Sequence, residues 1–534
     1  MKGKKIPQEN RKELKIRPAR LPSFEAGIIA EPLISFGGQH HHIDPKTGLG
    51  LYGPYSLIGQ HRPVLSSIAV GCIGPANMVA DAEQWLKACQ GRLTNDGSEP
   101  LQNPHFPGFN SAHPFQCELH FGNAWRETIK NGDIDSALKE SNFHARIKKI
   151  IQLYTDAIEV LSGRDPKPNV ILCCIPQDVV DLCTVIKKKS GEIKRRRISP
   201  IEKKALKSIA RGQWFLFPEM DPTLSIEEEI GGYQNLRRGL KAEAMRFDMP
   251  TQLVWPRSLR TIDEKPRPGV PGSQDVATRA WNFTTALYHK AGGFPWRLAE
   301  ISPDTCFVGV AFFREHGGSN PRIRTAMAQA FTSSGDGYVL RGSSFEWDET
   351  ENGRSPHLDE SGSADLIRGV LDLYKRQNRG SLPSRIVLHK TSRFWEEELA
   401  GFQSACSIVP QHDFVSFGSR GLQFYRPGDY PPLRGTYVKL SDTDLLLYTV
   451  GYIPYLRTYP GARIPQPLEV IEHHGDSPWN VVLEEILALT KMNWNTAAFA
   501  CSEPITVAFS RKVGQILAEL GPKDPMRSEY RFYM

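Results

Sequence analysis

The sequence predicts an α/β protein with two sheet-containing units, and two patterns along the chain carry this prediction. In the first unit, short apolar runs such as residues 68–72 and 170–174 alternate with amphipathic stretches. Strands that alternate with helices form mostly parallel sheets, so this unit should have a doubly wound, Rossmann-like fold. In the second unit, three strand-like runs precede a helix, a strand and a helix, which is the order of an RNase H-like fold.

The elements of the first unit follow from hydrophobic periodicity. Residues 68–72 predict a buried strand, and residues 79–88 predict the helix after it. A second helix leads through a Gly/Pro break into the strand at 170–174, and its apolar positions recur at helical spacing: Ile147, Ile150, Ile151, Tyr154, Ile158 and Leu161. The alternation continues through a helix over residues 236–247, a strand over 252–255 and a helix over 276–290.

The second unit opens with a long apolar strand at residues 307–313. Residues 327–331 and 338–340 are predicted as its antiparallel neighbours. A helix follows, with apolar positions at Leu366, Ile367, Val370, Leu371 and Tyr374, and after it a strand over 386–388 and a helix over 394–402.

Composition limits the class of protein. A chain of 534 residues exceeds one ordinary core, and its net charge of +7 permits a polyanionic partner without requiring one. The nine cysteines are scattered and repeat no C-x-x-C pair, which argues against a zinc ribbon or a disulfide framework and favours a reducing cytoplasm. No signal peptide and no apolar run long enough to span a membrane is found, so no membrane partner is expected.

The segment from Tyr288 to Leu298 carries a lysine followed by Gly-Gly-Phe-Pro-Trp, and it resembles the hinge between the MID and PIWI domains of Argonautes. Residues 240–242 and 249–254 resemble the MID helix and strand, and residues 503–508 resemble the last PIWI strand before the final helix. The resemblance covers roughly residues 165–534 and implies an N-terminal extension at 1–60, a MID domain at 61–295 and an inactive RNase H-like PIWI domain at 296–534.

The resemblance implies a site for the 5′ phosphate of a guide strand at Lys241, Gln252 and Lys290. A terminal phosphate carries up to two negative charges and needs converging cations and donors. With Lys241 near a helix start, Gln252 at a strand start and Lys290 at a helix end, the three can meet at one sheet edge. Arg237 stands where the family usually has a tyrosine, so phosphate contact is retained while base stacking is lost.

A metal ion is also implied at this site. In several prokaryotic relatives the carboxylate of the chain end helps to hold a divalent cation beside the guide phosphate. The last residue of this sequence is Met534, which follows an aromatic-rich segment. A site of hard oxygen ligands suits Mg²⁺, so we expect Mg²⁺ at the guide phosphate with Met534 as a ligand.

Cleavage is not expected, because an active PIWI domain uses a carboxylate tetrad to hold two metal ions. The positions that match its members hold Ala311, Thr391 and Ser510, which cannot replace anionic ligands. The chain is therefore predicted not to be an enzyme. An alternative is a guide-dependent nuclease with a rearranged metal site formed from Glu346, Asp348 or Asp359.

An inactive PIWI domain is typical of short prokaryotic Argonautes, and residues 36–46 resemble segments of the sirtuin-linked type. This implies a sensor subunit of an immune system that binds a guide RNA and a target single-stranded DNA. It also implies a partner with an APAZ domain and an effector, either a sirtuin-like or TIR-type NADase or a nuclease. The guide and target backbones are expected to contact Lys390, Arg393, Arg511 and Lys512. A structural partner that loads no guide is a further alternative.

Overall fold

The structure, a computed structural model, describes residues 24–55, 65–95, 99–183, 235–261 and 274–534, the last range with gaps at 303, 315–322, 333–336, 354, 419–420, 425–427, 429, 462–463 and 522–523. Its strands are β1 (Glu25–Ile28), β2 (Ile34–Ser35), β3 (His41–His42), β4 (Ser67–Gly74), β5 (Glu118–His120), β6 (Arg126–Thr128), β7 (Val170–Cys174), β8 (Thr251–Val254), β9 (Arg297–Leu298), β10 (Thr305–Phe313), β11 (Ile323–Thr332), β12 (Gly337–Glu346), β13 (Arg385–Lys390), β14 (Gln411–Gly418), β15 (Thr436–Lys439), β16 (Leu445–Leu447) and β17 (Leu468–Gly475).

The helices in the described residues are α1 (Pro45–Tyr52), α2 (Ala76–Gln90), α3 (Asn131–Leu138), α4 (Phe143–Ser162), α5 (Gln177–Cys183), α6 (Leu236–Ala244), α7 (Val276–Lys290), α8 (Glu349–Asn352), α9 (Glu360–Gln377), α10 (Glu396–Cys406), α11 (Trp479–Leu489) and α12 (Ile505–Leu517). Short 3-10 turns follow α6 at Met245–Phe247 and lie near the chain end at Tyr530–Phe532. Within this part of the chain, no helix is both long and apolar enough to cross a bilayer.

A parallel sheet forms the first unit and has helices on both faces, as the sequence predicts. Its order is β5-β4-β7-β8, with β6 also paired to β4, and every pairing is parallel. Successive residues of a strand point to opposite faces. Val170 and Leu172 accordingly pack with α2 and α7, whereas Ile171 and Cys173 pack with α4 and α6.

A nine-stranded sheet forms the second unit, in the order β1-β15-β16-β17-β14-β13-β10-β11-β12. The antiparallel ladder β10-β11-β12 and the parallel pairs β10-β13 and β13-β14 confirm the predicted strand order of an RNase H-like fold. Helices α9 and α10 cover the face that carries Val308 and Val310. Helix α12 covers the opposite face of β10 and packs against Phe313.

The predicted strand at residues 503–508 is wrong, because α12 begins at Ile505, directly after Pro504. The β-branched residues Ile505, Thr506 and Val507 favour a strand by local preference. Here packing overrides that preference. The backbone of Thr506 lies so close to Gly309 of β10 that a Cβ on Gly309 would be 2.1 Å from the Thr506 carbonyl oxygen. The hydroxyl of Thr506 forms a hydrogen bond with His389 Nδ1 at 2.7 Å.

The strands of the N-terminal segment, residues 24–55, pair with strands of the second unit. Strand β1 pairs antiparallel with β15 at one edge of the nine-stranded sheet. Strands β2 and β3 form a small antiparallel sheet with β9. Between them, Glu31 pairs with Arg434 at 3.0 Å and with Lys491 at 2.8 Å. These contacts hold the first described residues against the middle and the end of the chain.

One hydrophobic core joins the two units. It contains Val70 and Leu172 from the parallel sheet, Trp281 of α7, and Phe307 and Val387 from the nine-stranded sheet. A continuous core restricts motion between the units, because separating them would expose these side chains to water. All nine cysteines are free, and eight of them are buried.

Candidate functional site

Helices α6 and α7 meet at β8, the edge strand of the parallel sheet, and bring the predicted site residues together. Lys241 of α6 donates from Nζ to the backbone oxygen of Thr251 at 3.0 Å. Lys290, the last residue of α7, donates from Nζ to Gln252 Oε1 at 3.2 Å. Two lysines from different helices therefore flank one short strand.

Both ammonium groups are buried, with Lys241 2% exposed and Lys290 3% exposed. Burial, together with the charges of Lys290 and Arg237, holds the pKa of Lys241 well below its ordinary range. Burial, and then the charge of Arg237, lowers the pKa of Lys290 to about 7. Desolvation disfavours the charged form of a lysine, and neighbouring cations add to that effect.

Arg237 and Lys512 complete what we call the cation cluster, which comprises Arg237, Lys241, Lys290 and Lys512. Burial, followed by the charge of Arg238, lowers the pKa of Arg237. Burial, followed by the charge of Arg237, lowers the pKa of Lys512. Helix α12, which carries Lys512, packs against α6.

No carboxylate in the described residues forms an ion pair with Arg237, Lys241 or Lys290. Buried charges in proteins are normally paired, because an isolated charge is costly to remove from water. Two buried lysines, Lys241 and Lys290, that have no acidic partner among the described residues are therefore suited to bind an anion, which would supply the missing charge.

One detail of the predicted site needs correction. Lys241 lies in the last turn of α6, not near its start, because the side chain of Asn235 caps the helix and α6 begins at Leu236. The position still serves the cluster. Arg237 and Lys241 are four residues apart, so they lie on the same face of the helix.

The three positions predicted to correspond to members of the PIWI tetrad are Ala311, Thr391 and Ser510. Ala311 is in β10, and Thr391 directly follows β13. The parallel register pairs Gly309 with His389. Two residues further along each segment, Ala311 and Thr391 therefore lie beside each other. Ser510 lies one turn after Thr506 in α12, and its hydroxyl donates to the backbone oxygen of Val507 at 3.0 Å. None of these three side chains carries a carboxylate or an imidazole.

The structure places Lys390 inside the protein, which corrects its assignment to a nucleic-acid contact. It is 1% exposed and forms a short ion pair with Glu398. His357 Nδ1 lies 3.0 Å from its Nζ, and Glu398 also contacts His357 at 3.2 Å. A charged side chain at the end of a strand suggests an exposed contact, but here α10 supplies a buried counter-charge.

The other predicted backbone contacts differ in exposure. Arg393 is exposed and pairs with Glu472 at 3.1 Å. Arg511 is half-buried and forms a short ion pair with Glu503. Lys512 is exposed, and its Nζ lies 4.9 Å from the centre of the Phe509 ring. Of the predicted backbone contacts, Lys512 is the one that also belongs to the cation cluster.

The acidic residues of the alternative metal site, Glu346, Asp348 and Asp359, do not form a metal-binding group among the described residues. Glu346 is exposed at the end of β12. Asp359 caps α9 by accepting a hydrogen bond from the Gly362 backbone nitrogen at 2.7 Å. In the described part of the chain, no group of three or more His, Cys, Asp or Glu side chains is placed to hold a metal ion.

The predicted Mg²⁺ site does not fit the described side chains alone. The cluster contains cations, and it has no carboxylate side chain in ion-pair contact within the described residues. The side chain of Met534 is 1% exposed and packs in the core with Phe509 and Tyr530. Mg²⁺ would therefore depend on phosphate oxygens of the strand and on a carboxylate at Met534, and its binding stays a prediction.

The sequence did not single out Arg531, which lies next to Gly292. Its Nη1 atom is 3.3 Å from the point where a Cβ on Gly292 would be, just after α7. Gly292 has a φ of +105°, which glycine adopts readily. The signal available in the sequence was a single arginine within an otherwise apolar, aromatic segment at residues 530–534.

Comparison with known proteins gives two curated sequence relatives and no matching protein-family profile. An argonaute from Aquifex aeolicus is 23% identical over 295 residues, which are 54% of this chain and 36% of that protein. An argonaute from Thermus thermophilus is 25% identical over 257 residues, 48% of this chain and 33% of that protein. The matches thus span about a third of the length of these relatives.

Solved structures match over nearly the whole chain. Clostridium butyricum Argonaute bound to a guide DNA and a 19-mer target DNA gives a TM-score of 0.57 at 14% identity, covering 93% of this chain and 53% of that one. Drosophila Piwi gives a TM-score of 0.53 at 12% identity, covering 95% and 56%. The fold is therefore the mixed α/β fold of the MID and PIWI domains. In sequence, about half of the chain is similar to Argonaute proteins.

Proposed function

We propose that the chain binds a guide strand by its 5′ phosphate and uses that strand to recognise a complementary target. The observation that carries this proposal is the cation cluster, in which buried Lys241 and Lys290 have no acidic partner in the described residues. A terminal phosphate has up to two negative charges, whereas an internal phosphate has one. A dianion compensates two buried lysines better than a monoanion does.

The geometry of the cluster suits a group at the end of a strand. Lys241 and Lys290 approach β8 from two helices, and Gln252 adds an amide that can hydrogen-bond to an oxygen. Ionised donors form shorter and stronger hydrogen bonds to phosphate than neutral donors do. Arg237 can contribute a planar fork that matches two phosphate oxygens.

We propose further that the chain recognises its target without cutting it. Ala311, Thr391 and Ser510 occupy the strand ends and the helix at which an RNase H-like nuclease would hold its metal ions. Two-metal cleavage needs anionic ligands that clamp both ions, and these side chains offer none. The nuclease alternative is not supported by a group of three or more metal-binding side chains among the described residues.

The finer biological role follows from the resemblance of the sequence to short prokaryotic Argonautes. We propose an RNA guide, a single-stranded DNA target and a separate APAZ-bearing effector protein, either an NADase or a nuclease. A guide–target duplex presents many phosphates and needs cations on both sides of its channel, so a second protein would help to enclose it. The assembly would act as a sensor in defence against invading DNA.

The phosphate site is tested by replacing Lys241, Gln252 and Lys290 together with alanine. Each lost charge-assisted contact is worth about 1.5–3 kcal/mol, so binding of a 5′-phosphorylated RNA should weaken far more than binding of its 5′-hydroxyl counterpart. Filter binding at one fixed salt concentration measures both. A double variant at the exposed residues Lys87 and Lys148 is the matched control for lost positive charge. Equal losses for the two RNAs would refute the site.

Cleavage and partnership need two further measurements. Guide-loaded protein incubated with labelled target and Mn²⁺ should leave the target intact, and any guide-dependent cut would favour the nuclease alternative. Co-expression with the product of the adjacent gene should give a stable complex, and NAD⁺ loss or nucleic-acid degradation should appear only with cognate target. Small RNAs that co-purify should be enriched in 5′-phosphorylated strands. Their absence would favour a structural partner that loads no guide.

A further inference from the structure

Helix α10 is preceded by an exposed tryptophan, four residues after Thr391. Trp395 is 44% exposed, and no other tryptophan in the part of the chain that the structure describes is exposed. It occupies the N-cap position of α10 and makes no side-chain cap hydrogen bond there. Serine, threonine, aspartate or asparagine would stabilise a helix start better. The stability of the helix therefore does not explain a tryptophan at this position.

The ring of Trp395 has a fixed orientation. One face stacks on His357, with the ring centres 4.3 Å apart and the planes 16° from parallel. The ring of Trp347 lies 5.3 Å away at an angle of 52°. His357 in turn contacts Glu398 at 3.2 Å. Because these contacts already restrict the indole, a ligand that binds its exposed part would cost little further side-chain freedom.

Shielding of buried groups explains only part of the Trp395 surface. His357, Lys390 and Glu398 are buried beneath it, and His357 Nδ1 lies 3.0 Å from Lys390 Nζ. A smaller apolar side chain would cover these groups while leaving less apolar surface in water. Tryptophan is the type of residue that most often anchors contacts between proteins, because it buries a large area when a partner binds.

The charge beside Trp395 is negative. Glu396 and Glu397 follow it in the first turn of α10, and both are exposed. Neither forms an ion pair with a residue that the structure describes. The exposed Arg393, two residues before Trp395, pairs with Glu472 instead. Carboxylates repel phosphate groups and attract cations, so the charge disfavours a nucleic acid at Trp395 and favours a basic protein.

We propose that Trp395, Glu396 and Glu397, which we call the α10 surface, bind an arginine-rich segment of a second protein. A guanidinium stacks on the face of a tryptophan ring, and its planar fork matches the two oxygens of a carboxylate. Lysine binds such a surface less well, because its compact ammonium group does not form a two-pronged pair. The proposal does not depend on guide binding, since none of these residues belongs to the cation cluster.

The test measures binding of a fluorescein-labelled peptide of alternating arginine and glycine to the full chain, by fluorescence anisotropy. Trp395→Ala should weaken binding roughly fivefold, the loss expected for one cation–π contact. Glu396→Gln with Glu397→Gln should weaken it roughly threefold. Asp133→Asn with Asp135→Asn removes two exposed carboxylates from α3 and is the matched control. A peptide of alternating lysine and glycine should bind more weakly than the arginine peptide.

Three outcomes would overturn the proposal. The first is binding of the arginine peptide that does not depend on Trp395. The second is an equal loss in the glutamate variant and in its α3 control, which would mean that net charge alone attracts the peptide. The third is a Trp395→Ala protein that keeps peptide binding and loses affinity for single-stranded DNA. Trp395→Leu, which keeps an apolar cover over His357, replaces the alanine variant if the melting temperature falls.

Discussion

Two buried lysines in this protein, Lys290 and Lys390, lie in opposite electrostatic surroundings. Lys390 is 1% exposed and has Glu398 as its counter-charge, with His357 beside them. Lys290 is 3% exposed, has the neutral Gln252 as its hydrogen-bond acceptor and faces Arg237 as a neighbouring charge. The two residues are equally hidden from water, but among the described residues only Lys390 has a counter-charge.

The comparison separates a charge that serves the fold from a charge that serves a ligand. A second compensated case is Arg385, which pairs with Asp413 at 2.7 Å and forms a short ion pair with Glu485. In such networks each buried charge has a counter-charge within the protein, so no ligand is needed to neutralise it. The buried lysines of the cation cluster lack a counter-charge among the described residues. Their burial therefore opposes folding, and a bound anion would reduce that cost.

The largest effect is expected where a compensated pair is broken. Glu398→Ala leaves the Lys390 charge buried without its partner and should lower the free energy of unfolding by about 3–5 kcal/mol. Thermal unfolding measures the change. The double variant Lys390→Met with Glu398→Leu removes both charges and should recover most of the loss. Equal destabilisation by the single and double variants would contradict the assignment of this pair.

The opposite sign is expected at the cation cluster. Lys290→Met removes a buried charge that has no acidic partner in the described residues, and it should raise the free energy of unfolding of the ligand-free protein by about 1–3 kcal/mol near pH 7. The same variant should lose its preference for 5′-phosphorylated strands. A destabilised Lys290→Met protein would mean that the charge of Lys290 is compensated after all.

The pH dependence of binding follows from the pKa of Lys290, which is about 7 in the folded chain and ordinarily 10.5. Between these two values the ligand-free folded state gives up a proton that the unfolded chain keeps, so the stability cost is full below about pH 7 and disappears as pH rises toward 10.5. Phosphate favours the charged lysine, and binding above pH 7 therefore requires proton uptake.

Affinity for a 5′-phosphorylated strand should accordingly fall between pH 7 and pH 9, by up to about tenfold per pH unit for each lysine that takes up a proton. Titrations with phosphorylated and 5′-hydroxyl strands at constant ionic strength measure the difference. Lys290→Arg should flatten the curve, because arginine stays charged throughout this range. A preference for the phosphorylated strand that does not change with pH would contradict uptake of a proton by Lys290.

The smallest effect is expected at Arg393, an exposed residue whose pair with Glu472 is open to solvent. Arg393→Ala should change the free energy of unfolding by less than about 1 kcal/mol. If Arg393 contacts the duplex backbone as predicted, the slope of log affinity against log salt should decrease by about 1. An unchanged salt slope would remove Arg393 from the nucleic-acid surface.

The sequence predicted the elements whose local pattern and packing agree. The strands at 170–174 and 307–313 and the helix Val276–Lys290 are examples, because their apolar periodicity matches the faces they bury. The resemblance predicted a strand at residues 503–508, but Ile505–Val507 lie in a helix that contacts β10 and β13. A single sequence does not contain those distant contacts in its local pattern.

The residues of the candidate site also divide into those that the sequence predicted and those that it did not. The motif that contains Lys290 led to the prediction of a site with Lys241 and Gln252. The fold brings these residues together at β8. The burial of Lys390 was not predictable, because its partner Glu398 looks like one of three acidic residues that open a helix. The position of Arg531 was not predictable, because its neighbour Gly292 is far away in the sequence.

The pairing of β1 with β15 has a consequence for how the chain folds. Residues 25–28 form the outermost strand of the large sheet, but their partners at 436–439 are synthesised only after most of the protein. Contacts between such distant segments are slow to form because a very long loop must close first. During synthesis, residues 25–28 would remain unpaired until β15 is made, with Ile28 exposed. Unpaired strands tend to aggregate. We therefore expect the first segment to attach late and to be the part of the large sheet most dependent on chaperones.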